Sequence, residues 1–192
     1  MSVVEVLLKD PRVDVILDDD NGCTPLWWAS FCGHYEVIEG LISSGRDLGD
    51  IMNKKGLGGG KDYTALEIAR KEKETEAVSV LERFMSNPAQ IRHEVRVKLG
   101  VLDEFAAEVF ALTVFLCDDL FHLNPVSHLA ASPDPTTAAL RFFTIVSKLP
   151  MELQMILCHR TVGSMKQNIL QKDSEAAFKS LARVLLLPSP PK

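Results

Sequence analysis

The feature that most constrains this chain is the run Gly22-Cys23-Thr24-Pro25-Leu26-Trp27-Trp28-Ala29-Ser30-Phe31-Cys32-Gly33-His34 and its partial return further on. Thr24-Pro25-Leu26 with Ala29 recurs as Thr64-Ala65-Leu66 with Ala69, an offset of 64 − 24 = 40 residues. Val3-Val4 and Leu7-Leu8 recur as Val37-Ile38 and Leu41-Ile42, an offset of 37 − 3 = 34 residues. A period of this size means one supersecondary unit used repeatedly, each copy burying its apolar face on the next. The longer offset leaves about seven extra residues over a period near 33. The glycine-rich segment Asp50–Lys61 is predicted to hold them as a flexible loop.

Each recurring residue type has a mechanical reason to be there. Gly22 suits a turn position at positive φ. Thr24 is placed to cap a helix whose first position is Pro25. Leu26 and Ala29 share one face, and the small Ala29 lets paired helices approach. Gly33 is suited to end that helix in the left-handed region. After His34, residues Val37, Ile38, Leu41 and Ile42 form an apolar stripe at helical spacing.

The pattern Gly-x-Thr-Pro-Leu-x-x-Ala-x-x-x-Gly-His at Gly22–His34 resembles that of ankyrin-repeat proteins, and residues 1–88 carry the likeness. It implies one complete unit at about 19–50, a looser one at about 60–85, and at 2–18 the tail of one before. The departures are Trp27 where the family usually has His, Ala65 for Pro, Arg70 for Ala, and Lys73-Glu74 for Gly-His. The last of these puts the interhelix turn of the looser unit in question. The stripe Val3, Val4, Leu7 and Leu8 lacks a first helix to cover it. Arrays generally need about three units with polar caps, so either upstream sequence or some other cover is expected at that edge. Self-association through the Val3/Leu7 edge is the accompanying expectation.

After Pro88 the repeat signal stops. Ile91 to about Phe121 reads as one or two helices bent or broken near Gly100. The stretch Phe105–Leu116 is apolar nearly all round, which predicts full burial. Asn124 to Pro135 reads as a loop, Asp134-Pro135 as the start of a helix to Lys148, and Pro150 as the opening of another to about His159. Asp173-Ser174 then starts a last helix to about Leu187, before a disordered proline-rich tail at 188–192. The expected fold is all-α: a stack of two to three ankyrin units with hairpin turns over 1–88, then a helical module over 89–187. Through His93–Gly100 and the later Leu-Pro-x-Glu-Leu, this half also resembles extensions on short fungal ankyrin proteins. Leu149-Pro150-Met151-Glu152-Leu153, followed by the apolar run to Cys158, resembles the opening of an F-box. In that family the helix docks on a ubiquitin-ligase adaptor. The second half of the F-box pattern, with a Trp in a late helix, is absent.

The net charge of −5, with no Lys/Arg run longer than Lys54-Lys55, argues against nucleic acid or an anionic membrane as partner. Phe105–Cys117 contains Glu108 and is too short to span a bilayer. Four irregularly spaced cysteines and a first ten residues without a basic lead or long apolar core read as an intracellular chain with reduced thiols.

The ankyrin resemblance implies a non-catalytic protein-binding role, with partner contacts at the turn tip and on the exposed face of the first helix. The matching positions are Asp20, Asn21, Cys23, Phe31 and Cys32 in one unit and Lys61, Tyr63, Lys71 and Glu72 in the next, with Trp28 at the edge. Phe31 and Trp28 have the alternative of packing against a neighbouring unit. An F-box-like adaptor, with the repeats holding its target, is the alternative function. No cofactor and no metal are expected: Cys23, Cys32 and His34 match no common zinc spacing. Cys117 with His122 and His128, and Cys158-His159, lack a nucleophile signature and read as buried thiols and surface imidazoles. Gly56–Lys61 is one residue short of a phosphate loop and has Asp62 in place of Ser/Thr. Asp18-Asp19-Asp20 and Asp118-Asp119 lack the ligand periodicity of a calcium loop and read as turn and solvated positions.

Overall fold

The computed structural model describes residues 3–10, 12–46, 48, 50–118 and 135–186. Two compact units divide the chain, one running to Leu99 and one starting at Gly100.

The first unit is built from two helical hairpins, α2 (Pro25–Phe31) with α3 (Tyr35–Ser43) and α4 (Ala65–Glu72) with α5 (Thr75–Ser86). Their starts follow from local chemistry. The Thr24 hydroxyl accepts from Trp27 N at 3.2 Å with Pro25 at the first helical position. Thr64 and Glu67 form a reciprocal capping box, Thr64 Oγ1 accepting from Glu67 N at 3.2 Å and Glu67 Oε2 accepting from Thr64 N at 2.8 Å. The two interhelix turns are the same turn. Gly33 has φ 70° and His34 N donates to Ala29 O at 2.9 Å. Lys73 has φ 64° and Glu74 N donates to Ala69 O at 2.9 Å. The turn in question in the looser unit therefore forms, with a lysine in the left-handed position that glycine occupies in the other.

Leu26, Ala29, Ile38, Leu41 and Ile42 meet Ala65, Ala69, Ala77, Leu81 and Phe84 in one continuous core. α2 packs on α4, and α3 packs on α5. α6 (Pro88–Lys98) packs on both α3 and α5 and buries Ile91 and Val95 in the same core. That contact places α6 in the first unit, beyond the boundary at residue 88 that the end of the repeat pattern suggests. α1 (Val3–Lys9) packs on α3 through half-buried Leu8, while Val3, Val6 and Leu7 stay 76%, 54% and 48% exposed.

The inserted segment is no flexible loop. Residues 56–63 form a hairpin, β1 (Gly56–Gly58) antiparallel to β2 (Lys61–Tyr63), with Leu57 opposite Asp62. Leu57 N donates to Asn21 O at 2.9 Å, which fastens the hairpin to the turn before α2. Lys54 pairs with Asp18 at 2.9 Å on the same seam.

The second unit contains α7 (Val101–Cys117), α8 (Pro135–Val146), α9 (Met151–Thr161) and α10 (Gln171–Leu186). Gly100, at φ 73°, separates α6 from α7 as the pattern predicts. α7 packs on α9 and α10, with Ala107, Ala111 and Ala177 at the centre of one contact. The predicted full burial of α7 does not hold: Leu102, Ala106, Ala107, Phe110 and Ala111 are buried, while Phe105 and Glu108 are exposed. The small residues mark the contact side, where α10 approaches closely. The expected loop at Asn124–Asp134 and tail at 188–192 lie outside the described residues.

Candidate partner-binding surface

The surface grows from the turn that precedes α2. Asp19 Oδ1 accepts from Asn21 N and Cys23 N, both at 2.9 Å, and Gly22 N returns to Asp19 O at 2.9 Å. The other carboxylate oxygen, Oδ2, accepts from the indole Nε1 of Trp28 at 3.1 Å. These donors, the Cys23 amide foremost, hold the Asp19 carboxyl below the usual carboxylate range. A single side chain thereby fixes both the turn and the orientation of an exposed tryptophan.

Three rings follow on α2. Trp27 is buried, Trp28 is 45% exposed and Phe31 is 36% exposed. Phe31 stacks on Trp27 at 5.5 Å and 8°, while Trp28 stands edge-on to Trp27 at 5.3 Å and to Phe31 at 5.8 Å. Offset and edge-to-face pairs of this kind are each worth about 0.5–1.5 kcal/mol beyond burial. The open faces of Trp28 and Phe31 are thus held by neighbours rather than free to collapse. The ring contacts of these two residues are with each other and with Trp27, all within α2 rather than on a neighbouring unit, and both keep an exposed side.

Trp27 ties this cluster to the next repeat. Its Nε1 donates to Tyr63 O at 2.9 Å, and its ring packs with Cys23, Ile68 and half-buried Tyr63. Gly58 lies against the same indole; a Cβ there would stand 3.1 Å from Trp27 Cζ2. On the far side Lys71 Nζ sits 5.0 Å from the centre of the Tyr63 ring and 3.2 Å from Glu72 Oε1.

Asp20, Asn21, Trp28, Phe31, Cys32, Lys61, Lys71 and Glu72 are exposed, and Tyr63 is half-buried. Cys23 is the exception. It is buried, with its thiol directed at Leu57 O at 3.8 Å and Asn21 O at 3.9 Å. Burial pushes that thiol above its ordinary pKa. The cover is the inserted hairpin: a Cβ on Gly56 would come within 2.7 Å of Cys23 Sγ. Cys23 therefore supports the surface from beneath and cannot meet a partner.

Two residues of the site were hidden by their types. Trp27 stood out only as a departure from a pattern, and Asp19 only as one of three aspartates. The Asp-x-x-Gly spacing of Asp19 and Gly22 was the available signal for the latter.

The other chemistry-bearing groups behave differently from their expectation. Cys117 is exposed and His159 is buried, the reverse of buried thiol and surface imidazole. His159 Nε2 lies 3.0 Å from Asn168 O in the connection between α9 and α10. Cys158 is buried as expected, and desolvation pushes its thiol up to about 11. His122 and His128 lie outside the described residues. Among the described residues no group of three His, Cys, Asp or Glu side chains is placed to hold a metal. Nor is any helix there long and apolar enough to cross a membrane.

The sequence comparisons agree with this geometry where they reach it. The family model for the ankyrin repeat matches residues 21–54, which run from the turn through α2 and α3 to the foot of the hairpin. A zebrafish (Danio rerio) protein described as "Ankyrin repeat domain-containing protein 29" is 42% identical over 48 residues, 25% of this chain and 16% of that protein. No solved structure matches. The architecture is an all-α ankyrin stack followed by a helical module. Ankyrin repeats generally serve protein–protein interaction, through a stacked and rigid scaffold.

Proposed function

We propose that this chain is a non-catalytic binding module that holds a partner protein on the surface formed by the Asp19–Gly22 turn, the exposed side of α2, and the Lys61/Tyr63/Lys71 edge. The observation that carries the reading is the pair Trp28 and Phe31. They are exposed aromatics on a fixed helix, oriented by Asp19 and Trp27 before any partner arrives. Aromatic anchors in preorganised positions are the usual hot spots of an interface. The test is affinity purification with the wild type and with Phe31→Ala, followed by a direct affinity measurement on the purified partner. Phe31→Ala is expected to weaken binding by at least about 1 kcal/mol, with the circular dichroism spectrum unchanged. Equal affinity would remove Phe31 from the interface.

A second reading is favoured by α9. Met151 is 60% exposed and Leu153 is 46% exposed on its first turn, as a helix that docks on a ligase adaptor would require. The double variant Leu153→Ala, Leu157→Ala separates the two readings. Loss of an adaptor with retention of the repeat-bound partner supports it, and no adaptor binding by the intact chain removes it. Four free cysteines, two of them exposed, support an intracellular setting. The open stripe Val3, Val6 and Leu7 supports self-association at the first helix.

A further inference from the structure

Around the C-terminal turn of α3, the structure brings together positive charge that the binding surface does not use. Arg46 spends its two terminal nitrogens on the carbonyls of Leu8, Asp10 and Val13. Arg92 and Arg96, one turn apart on α6, reach α3 through Nε alone. Arg92 Nε donates to Ile42 O at 3.2 Å and Arg96 Nε to Ser43 O at 2.9 Å. The Arg92 guanidinium also lies 5.7 Å from the centre of the Phe84 ring, and an Arg96 terminal nitrogen lies against Gly45. All three side chains are half-buried. The charge of Arg46 is already met in part by the Asp10 carboxylate, which it helps keep ionised, whereas among the described residues neither Arg92 nor Arg96 forms an ion pair with a carboxylate. The neighbouring pair Lys98 and Glu39 satisfies itself at 2.6 Å.

A helix C-terminus offers about half a negative charge, which one arginine would complement. The two guanidiniums of Arg92 and Arg96 exceed that. Burial first, and then the charge of Arg92, press the Arg96 pKa down. Among the described residues the terminal nitrogens of Arg92 and Arg96 have no hydrogen-bond acceptor, and their forked geometry fits a tetrahedral oxyanion.

We propose that Arg92 and Arg96, one turn apart on α6, form a binding site for a phosphoryl oxyanion at the C-terminal turn of α3. A dianion is preferred to a carboxylate there because it offsets both charges and relieves the repulsion between Arg92 and Arg96. The site uses no residue of the aromatic surface, so it stands or falls independently of the binding role proposed for that surface.

The test is a titration of the isotope-labelled full chain, following the Nε–H signals of Arg92 and Arg96. The probes are inorganic phosphate, chloride at matched ionic strength, a phosphoserine peptide and its unphosphorylated twin. Saturable shifts with phosphate or phosphopeptide, and none with chloride or the plain peptide, are expected. Arg96→Gln is expected to weaken binding about tenfold or more. Should Arg96→Gln disturb folding, Arg92→Lys gives the same reading, since it keeps the charge and loses the fork. Tighter binding of the phosphopeptide than of phosphate assigns the ligand to a phosphorylated chain, and equal affinities assign it to a free phosphate. Shifts that fail to saturate, appear equally in chloride, or survive Arg96→Gln in a folded protein overturn the proposal.

Discussion

Replacing Trp27 separates the two things that residue does. It fills space between two repeats, and it fastens the inserted hairpin with one hydrogen bond from its indole to Tyr63 O at 2.9 Å. Trp27→Ala removes both. The ring is 2% exposed and touches Trp28, Phe31 and Ile68, so its loss falls in the range of about 3–5 kcal/mol for buried Trp to Ala. Against a total stability of about 5–15 kcal/mol, that is enough to unfold a small repeat unit in part. Trp27→Phe keeps most of the ring stacking and removes the donor. The carbonyl of half-buried Tyr63 then loses this donor, a hydrogen bond worth about 0.5–1.5 kcal/mol. The assay is urea denaturation of both variants, with hydrogen exchange resolved by residue, because two compact units need not unfold together. Trp27→Phe should lower the protection of the Leu57 and Tyr63 region selectively, before any global loss. If Trp27→Phe costs less than about 0.5 kcal/mol, the lower bound for a hydrogen bond, and hairpin exchange is unchanged, the indole is a filler and the reasoning about fastening fails.

Three further outcomes are expected. Lys73→Gly should raise the urea midpoint by the equivalent of about 0.5–1 kcal/mol, because Lys73 holds φ 64° where glycine carries no steric penalty; a fall in the midpoint would show that the lysine side chain contributes more than its backbone costs. Asp19 has a folded pKa below its unfolded value of about 4. Its stabilising contribution is therefore full above that value and is lost as pH falls through the folded pKa. Asp19→Asn should flatten the acid side of a stability–pH profile, and an unchanged profile would count against the role given to its amide bonds. Val3→Ser with Leu7→Ser should abolish concentration-dependent self-association in light scattering, while a wild type that stays monomeric at high concentration would remove that edge as an interface.

What was legible in the sequence was chemistry that acts within a few residues. Thr24 capping the helix that Pro25 opens, Gly33 closing it and Gly100 parting α6 from α7 each depend on neighbours in the chain. The same locality explains the failures. Lys73 looked wrong for a left-handed turn because its backbone cost is visible in the sequence, while the packing of α4 on α5 that outweighs it is not. α7 read as wholly buried because its composition is apolar; the face that α10 covers is set by small residues at Ala107 and Ala111 meeting Ala177. α6 read as the start of something new because the repeat pattern stops at Pro88, yet Ile91 and Val95 complete the core of the repeats.

The inserted hairpin shows why the site itself was only half legible. A stretch with Gly56, Gly58, Gly59 and Gly60 reads as freedom, and glycine does supply freedom in an unpacked chain. Here two of those glycines supply absence instead. A side chain at Gly56 would strike Cys23, at 2.7 Å from its sulfur and 3.0 Å from its Cα, and one at Gly58 would press on Trp27. The glycines let a strand lie flat on the turn and on the indole, so the insertion becomes a lid over Cys23 and a second edge for the surface. The residues that make this possible, Cys23 and Leu57, stand 34 positions apart. A contact of that span leaves no periodic trace, and the composition that permits it is the same composition that permits disorder. The distinguishing fact is Trp27: a large, donor-bearing side chain where the family usually has an imidazole, which gives the glycines something to lie against. The insertion and the substitution therefore belong together, and the exposed pair Trp28 and Phe31 owes its fixed orientation to both.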